Sequence, residues 1–144
     1  MIFCDTSTLA KYYVPEAETP AVQERLDSED TVWVSELART ELMAVFHRRL
    51  REGKWSEAIF RSVVRQFDRD ELSGIWNWIP LTAETTGEAA QVFRTLPENI
   101  FLRAADCLHL VSAIQNGFSM IYTHDRHQIS GARALGLETV MIVP

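Results

Sequence analysis

The sequence has few cysteines and no long hydrophobic run, and each absence excludes a class of protein. Two cysteines, Cys4 and Cys107, occur in 144 residues, too few for a disulfide-rich scaffold or a four-cysteine zinc site. No apolar run approaches the roughly 20 residues that a membrane-spanning helix needs. The first residues contain neither a basic segment nor a small-residue cleavage site, so no signal peptide is predicted. A cytoplasmic protein with reduced thiols and no membrane association is therefore expected.

An excess of positive charge is also lacking. Fourteen Lys and Arg residues against 20 Asp and Glu residues produce a formal net charge of −6. Such a balance normally counts against a nucleic-acid partner, because phosphate binding needs a basic surface. The cations are unevenly spread, however, and the segment from Arg39 to Arg69 holds eight Lys or Arg residues against four acids. The charge distribution therefore leaves a polyanionic substrate open.

Length and composition indicate one globular domain over residues 1–144, since 47% of the residues are hydrophobic and 24% are charged. Short apolar segments alternate with amphipathic ones, which predicts an α/β fold with a parallel sheet covered on both faces. Two helices between the second and third strands predict a helical pair that projects from the sheet. The predicted strands are 2–4, 31–34, 75–79, 119–122 and 139–143. The predicted helices run from about 6–14, 19–28, 35–52, 56–72, 82–96, 104–116 and 126–135.

Two acidic residues directly follow predicted strands. Asp5 comes after the first strand, and Asp125 comes after the fourth strand in the segment Tyr122-Thr123-His124-Asp125. In open α/β sheets, ligands bind beyond the carboxyl ends of the strands, where the strand order reverses. If the first and fourth strands are neighbours, Asp5 and Asp125 face the same crevice. Each of them also has a simpler interpretation as a helix cap.

Two further acids interrupt apolar helix faces. Asp106 opens a helix that is apolar on nearly all sides, where an ionised carboxylate is costly unless it is paired or bound to a metal. Glu41 shares a helical face with Leu37, Ala44 and Val45. Taken singly, Asp106 suits the first turn of a helix because of the helix dipole, and Glu41 suits an ion pair with a nearby arginine.

The four acids together indicate a metal site. Clustered carboxylates repel one another, and a divalent cation removes that conflict. Ligands that are all oxygen favour Mg²⁺ or Mn²⁺ over zinc. Cys4, Cys107 and His124 each adjoin one of the acids, so a mixed ligand set stays open, although buried structural thiols are the simpler expectation for both cysteines.

The motifs around these acids resemble those of the PIN-domain family over essentially the whole chain. Asp5-Thr6-Ser7 follows a short N-terminal strand, and Tyr12-Tyr13-Val14-Pro15-Glu16 comes soon after. Glu41 lies within a helix, as the second acid of that family does. Leu102 to Leu110 closely resembles the third motif, and Thr123-His124-Asp125 resembles the fourth. The compact size is most similar to the VapC-type toxins of bacterial and archaeal toxin–antitoxin pairs.

This resemblance implies a fold and an activity. The fold would be a three-layer sandwich in which a five-stranded parallel sheet is flanked by about seven helices. The activity would be that of a Mg²⁺- or Mn²⁺-dependent endoribonuclease that hydrolyses RNA phosphodiesters. The implied partners are an RNA substrate, a small cognate antitoxin protein and a second copy of the chain in a homodimer.

The resemblance also implies roles for particular residues. Asp5 and Asp106 would be the principal metal ligands. Glu41 and Asp125 would complete the acidic pocket, directly or through waters, so that all four acids are expected to be catalytic.

Four other residues adjoin these acids. Ser7 and Thr123 match hydroxyl positions with which the family supports its site. Arg103 and Arg126 lie close to the acids in sequence, so either contact with RNA or pairing with the acids themselves is expected of them.

A stripe of arginines has two open interpretations. Arg61, Arg65 and Arg69 recur at helical spacing on one face of the fourth helix. They form either a track for phosphates or an antitoxin, or a solvated face.

Three other functions are alternatives to the toxin. A PIN-domain nuclease of RNA processing and a non-catalytic PIN-like binding module both remain open. A phosphatase with an aspartate nucleophile is disfavoured, because Ser7 stands where its second aspartate is usual and no lysine follows Lys54.

Overall fold

Five short strands form the centre of the computed structural model, which describes all residues from Met1 to Pro144. Most of their residues are apolar or β-branched, as the sequence predicts. In chain order the strands are β1 (Ile2–Phe3), β2 (Val32–Ser35), β3 (Trp76–Ile79), β4 (Met120–Tyr122) and β5 (Glu138–Val140).

Seven helices cover these strands, as expected from the hydrophobic periodicity. None of them combines the length and the apolar composition that a membrane span requires. The helices are α1 (Thr6–Tyr13), α2 (Thr19–Asp27), α3 (Leu37–Arg51), α4 (Glu57–Leu72), α5 (Ala83–Thr95), α6 (Ala104–Gln115) and α7 (Arg126–Ala134).

Side-chain caps begin four of the helices. Asp5, Ser56, Thr82 and Asp125 accept hydrogen bonds from backbone N–H groups in the first turns of α1, α4, α5 and α7. The helix α2 begins at Thr19, and the position before it makes no side-chain cap hydrogen bond. The caps of α1 and α7 are two of the predicted catalytic acids, so the simpler interpretation of Asp5 and Asp125 as helix caps is confirmed.

The strands are parallel, but they form two parts. One part has the order β1-β2-β3, and the other pairs β4 with β5. A single bridge between Cys4 and Tyr122 joins them, supported by a 3.1 Å hydrogen bond from the Asp5 backbone N–H to the Tyr122 carbonyl. The expected continuous five-stranded sheet is thus reduced to two segments, because β1 gives way to α1 at Thr6 and leaves room for one bridge.

The strand order places a crevice beside β1. Across the bridge the order is β3-β2-β1-β4-β5, so the chain runs outward in one direction from β1 to β3 and in the other from β4 to β5. This reversal separates the connections that follow β1 and β4 and opens a binding crevice at the carboxyl ends of the two strands. The condition under which Asp5 and Asp125 share one crevice is therefore met.

Two hydrophobic clusters lie on opposite faces of the strands. Ile2 and Cys4 belong to the cluster that includes residues of α1, α2, α3 and α4. Phe3, which points the other way, belongs to the cluster formed with α5, α6 and α7. Helices on both faces of a central sheet form the expected three-layer sandwich.

The pair of helices between β2 and β3 is fastened to the body of the protein by aromatic packing. On α3, the fully buried Phe46 has its ring centroid 5.8 Å from that of Tyr13 in α1. Its ring is also 5.6 Å from that of Trp55, which lies between α3 and α4. These contacts anchor α3, the helix that carries Glu41.

The arginine stripe lies on the exposed face of α4. Arg61, Arg65 and Arg69 are all exposed to solvent. Arg61 pairs with Glu57 on the same helix, and Arg69 donates a hydrogen bond to Gln66. These local pairs favour the solvated face, and none of the three arginines lines the crevice beside β1.

Candidate active site

All four predicted acids line one cleft. It has a volume of about 490 Å³ and lies at the carboxyl ends of β1 and β4, between α1, α3 and α6. Asp5, Glu41, Asp106 and Asp125 come from four different segments of the chain, and the fold brings them to the same walls. Hereafter this space is called the acidic cleft.

Asp5 is the most buried of the four acids. Its side chain caps α1, and the residue is only 4% exposed. The Ser7 hydroxyl and the Thr8 backbone N–H donate to Oδ1 at 2.6 and 3.1 Å, and the Thr123 hydroxyl donates to Oδ2 at 2.6 Å. Burial raises the pKa of Asp5 above its ordinary value, although the charge of His109 and these donors lower it. A cation beside Asp5 would remove this penalty.

The two predicted supporting hydroxyls both contact Asp5. Ser7 lines the acidic cleft, and Thr123 is fully buried beneath it. Thr123 also accepts a 3.1 Å hydrogen bond from the backbone N–H of Asp125, and so it links two of the four acids. The hydroxyls therefore orient carboxylates, as we expect of groups that support a site.

Glu41 is anchored through one oxygen and free at the other. Its Oε1 lies 2.7 Å from the Thr6 hydroxyl and 2.5 Å from Nε2 of His109, whereas Oε2 has no hydrogen-bond partner. Burial raises the pKa of Glu41, but the hydrogen bond and the charge of His109, together with the Thr6 hydroxyl, outweigh it and hold that pKa below its usual range. Glu41 is therefore an ionised carboxylate with one oxygen available to the cleft.

Arg103 connects the other two acids. Its Nε lies 2.7 Å from one oxygen of Asp106, and one terminal nitrogen lies 2.5 Å from Oδ2 of Asp125. Burial raises the pKa of Asp125, but the backbone N–H groups of His127 and Gln128 and the charge of Arg103 lower it below its usual value. Asp106 is buried, whereas the side chain of Arg103 is 52% exposed. The guanidinium group of Arg103 therefore has an open path from the acids to solvent.

The two arginines for which the sequence predicts contact with RNA or with the acids differ in position. Arg103 lines the acidic cleft and pairs with two of its acids, which is the structural alternative that the sequence left open. Arg126 is exposed at the start of α7 and does not line the cleft. Contact of either residue with RNA stays a prediction.

The donor set of the cleft fits a hard divalent cation better than zinc. Neither Cys4 nor Cys107 lines the cleft, and both are free and buried. Both ring nitrogens of His124 already face partners, the Thr8 hydroxyl and the Ile142 carbonyl. Carboxylate oxygens therefore remain, the ligands that Mg²⁺ and Mn²⁺ prefer. As the side chains stand, no three acidic, histidine or cysteine groups converge into a ready-made ligand set, since Arg103 lies between two of the acids.

The pair that holds Glu41 was not predicted from the sequence, in which neither Thr6 nor His109 was given a role in the site. The spacing contains a signal in each case, because His109 follows Asp106 by three residues on one helical face and Thr6 directly follows Asp5.

One wall of the cleft carries positive charge. Lys11, Arg48 and Arg49 line it together with Glu16. Glu16 pairs with both Lys11 and Arg49, whereas Arg48 is exposed and makes no ion pair. A free cation beside the acids allows a polyanion to approach a cleft that would otherwise repel it.

Comparisons with known proteins agree with this arrangement. The profile of the PIN domain family matches residues 2–133. Among curated proteins, Ribonuclease VapC47 of Mycobacterium tuberculosis is 30% identical over 145 aligned positions, which cover 96% of this chain and 95% of that protein.

Solved structures share the fold at low sequence identity. The toxin VapC20 of Mycobacterium tuberculosis, described as cleaving the sarcin–ricin loop, has a TM-score of 0.70 at 17% identity, over 91% of this chain and 95% of that one. The FitAcB structure of Neisseria gonorrhoeae has a TM-score of 0.71 at 18% identity, over 96% of each chain. VapBC2 of Rickettsia felis, bound to a promoter DNA fragment, has a TM-score of 0.67 at 16% identity, over 98% of each chain. At these identities the likeness establishes the fold.

Proposed function

Because this chain belongs to the PIN-domain family and is a ribonuclease of the VapC type, we propose that it is a Mg²⁺- or Mn²⁺-dependent endoribonuclease and the toxin of a toxin–antitoxin pair. The observation that carries the chemical part of this proposal is the meeting of four carboxylates in one cleft beside β1. An RNA phosphodiester is the substrate class, and hydrolysis is the reaction.

In this proposal the acids divide into two pairs. Asp5 and Asp106 would hold the cation, and Glu41 and Asp125 would complete the pocket. A bound divalent cation supplies polarisation of a phosphate oxygen and a lowered pKa for a bound water. Asp5 suits its role because hydrogen bonds to both of its oxygens fix its orientation.

Glu41 is the better candidate to orient the attacking water or to accept its proton. Both oxygens of Asp125 already accept hydrogen bonds, whereas Oε2 of Glu41 has no partner. The lowered pKa keeps Glu41 ionised and able to accept a hydrogen bond from water. The water oxygen would then attack phosphorus in line as the bond to the leaving oxygen breaks.

The partners of the chain belong to the same proposal. We propose a small antitoxin, because toxin–antitoxin complexes are among the proteins that share this fold, and a homodimer, which the family resemblance implies. Arg126 is retained as a candidate RNA contact because it is exposed next to Asp125. We also place the activity in the cytoplasm, where the free thiols of the two cysteines would persist.

The proposal is tested by RNA cleavage with the purified chain. End-labelled structured and unstructured RNAs are incubated with Mg²⁺, with Mn²⁺ or with EDTA. We expect internal cleavage with either metal, none in EDTA, and recovery when Mn²⁺ is added in excess over EDTA. Cleavage of equal rate in EDTA would contradict the proposal. Binding of Mn²⁺ without cleavage of any RNA would instead favour a non-catalytic PIN-like module.

Replacement of Arg103 is expected to strengthen metal binding. Arg103→Gln removes the guanidinium group that pairs with Asp106 and Asp125. A metal ion that binds these acids then no longer has to displace it. Since partly exposed ion pairs contribute up to about 1 kcal/mol each, the affinity for Mn²⁺ should rise about 5- to 10-fold in titration calorimetry. Arg133→Gln, an exposed position on α7, is the matched control and should leave the affinity unchanged. Equal or weaker binding by Arg103→Gln would show that Arg103 does not compete with the metal.

A further inference from the structure

His109 occupies the floor of the acidic cleft without having been assigned any role there. It lies on α6 one turn after Asp106, lines the cleft, and is only 2% exposed. Its Nε2 is 2.5 Å from Oε1 of Glu41 and 3.3 Å from the Thr6 hydroxyl. A histidine this deeply buried is held in one place, and what it touches is one of the catalytic acids.

The direction of the hydrogen bond follows from the partner. An ionised carboxylate only accepts, so the ring carries a proton on Nε2 and donates it to Glu41. The Thr6 hydroxyl donates to the same oxygen at 2.7 Å. The other ring nitrogen, Nδ1, is buried without a partner, so no competing hydrogen bond turns the ring away from Glu41.

Two donors on one oxygen leave the second oxygen open. Of the oxygens of the four acids, Oε2 of Glu41 alone accepts no hydrogen bond or ion pair from the protein. Both oxygens of Asp5, Asp106 and Asp125 have partners. The contact with His109 thus determines which carboxylate oxygen of Glu41 faces the cleft without a hydrogen-bond partner.

The same two donors set the position of Glu41 relative to the other acids. Glu41 is carried by α3, which is separated from Asp5 and from α6 along the chain. Thr6 adjoins Asp5, and His109 shares a helical face with Asp106. Their hydrogen bonds to one oxygen therefore tie Glu41 to the two segments that carry the proposed metal ligands.

We propose that His109 is a positioning residue that holds Oε1 of Glu41 through its Nε2–H and so keeps Oε2 directed to the substrate water. This inference rests on the proposed function, because it concerns RNA cleavage in the same cleft. In this role His109 orients Glu41, and Glu41 in turn orients the water or accepts its proton.

Two replacements separate the donor from the bulk of the ring. His109→Leu removes the N–H group, whereas His109→Gln retains an amide N–H near the position of Nε2. Loss of a group that orients a site residue typically costs about 10- to 100-fold, so we expect kcat of His109→Leu to fall by that factor with little change in KM. His109→Gln should recover most of the lost rate. Ser112→Ala, a fully buried position one turn further along α6 that does not line the cleft, is the matched control and should keep the wild-type rate.

A double variant tests whether His109 acts through Glu41. If it does, His109→Leu should slow Glu41→Gln no further, because the carboxylate that it positions is already gone. Mn²⁺ affinity, measured by calorimetry on the full chain, should fall less than kcat, since Asp5 and Asp106 remain. Should the leucine variant melt well below the wild type, His109→Phe, which keeps the bulk of the ring, takes its place.

The outcomes distinguish this inference from the function on which it rests. A wild-type chain that cleaves no RNA with any metal overturns the proposed function and the inference together. A wild-type chain that cleaves, beside a His109→Leu chain of unchanged kcat, overturns the inference alone. Additive losses in the double variant, or no recovery in His109→Gln, also overturn it.

Discussion

Asp5→Asn and Asp106→Asn are each expected to reduce RNA cleavage by about 1,000-fold or more, because each removes a charge that would hold the divalent cation. Asp5 is the buried cap of α1, and Asp106 is buried in the first turn of α6. The measurement is the rate of cleavage of one end-labelled RNA at saturating Mn²⁺.

The fold of the Asp5 variant should survive the change. Burial raises the pKa of Asp5, so the charged form costs folding free energy at neutral pH, and a neutral amide avoids that cost. In EDTA we expect the melting temperature of Asp5→Asn to be no lower than that of the wild type. Asp68→Asn, an exposed acid on α4, serves as the control for activity and should cleave at the wild-type rate. If cleavage survives both Asp5→Asn and Asp106→Asn, the proposed metal ligands are wrong.

Phe46→Ala is expected to lower the free energy of unfolding by about 3–5 kcal/mol, the usual cost of truncating a buried phenylalanine. The ring of Phe46 is fully buried between Tyr13 and Trp55, and its removal leaves a cavity under α3. Because α3 carries Glu41, the same cavity weakens the contact that fastens one wall of the acidic cleft. Urea denaturation followed by circular dichroism measures the change.

Phe93→Ala is the matched control for this experiment. Phe93 lies on α5 and is 42% exposed, so its truncation should change the free energy of unfolding by about 1 kcal/mol or less. Equal effects of the two variants would mean that α3 is not anchored through Phe46.

Much of the secondary structure could be predicted because its causes are local. The helix over residues 57–72 follows from apolar residues at helical spacing and from the Ser56 cap, and both signals lie within a few residues. The crevice beside β1 was predictable in type, since ligands of open α/β sheets bind beyond the carboxyl ends of the strands. Whether Asp5 and Asp125 share this crevice depended on whether β1 and β4 are neighbours, and local sequence patterns do not show this.

The contacts within the cleft were beyond prediction from periodicity. His109 and Glu41 are 68 residues apart in the chain, and Asp5 and Thr123 are 118 apart. The sequence left open whether Arg103 would face RNA or the acids, and the choice depends on the path of the loop before α6. Only packing of the helices on both faces of the sheet brings these side chains within hydrogen-bond distance.

The sequence by itself determined the α/β class, the alternation of helices and strands, and the identity of the four acids, because each of these follows from residue types and short spacings. The tertiary structure decided the division of the sheet into two parts, the pairing of Arg103 with Asp106 and Asp125, and the hold of His109 on Glu41. These features depend on the relative placement of distant segments, which packing sets and which a local pattern does not contain.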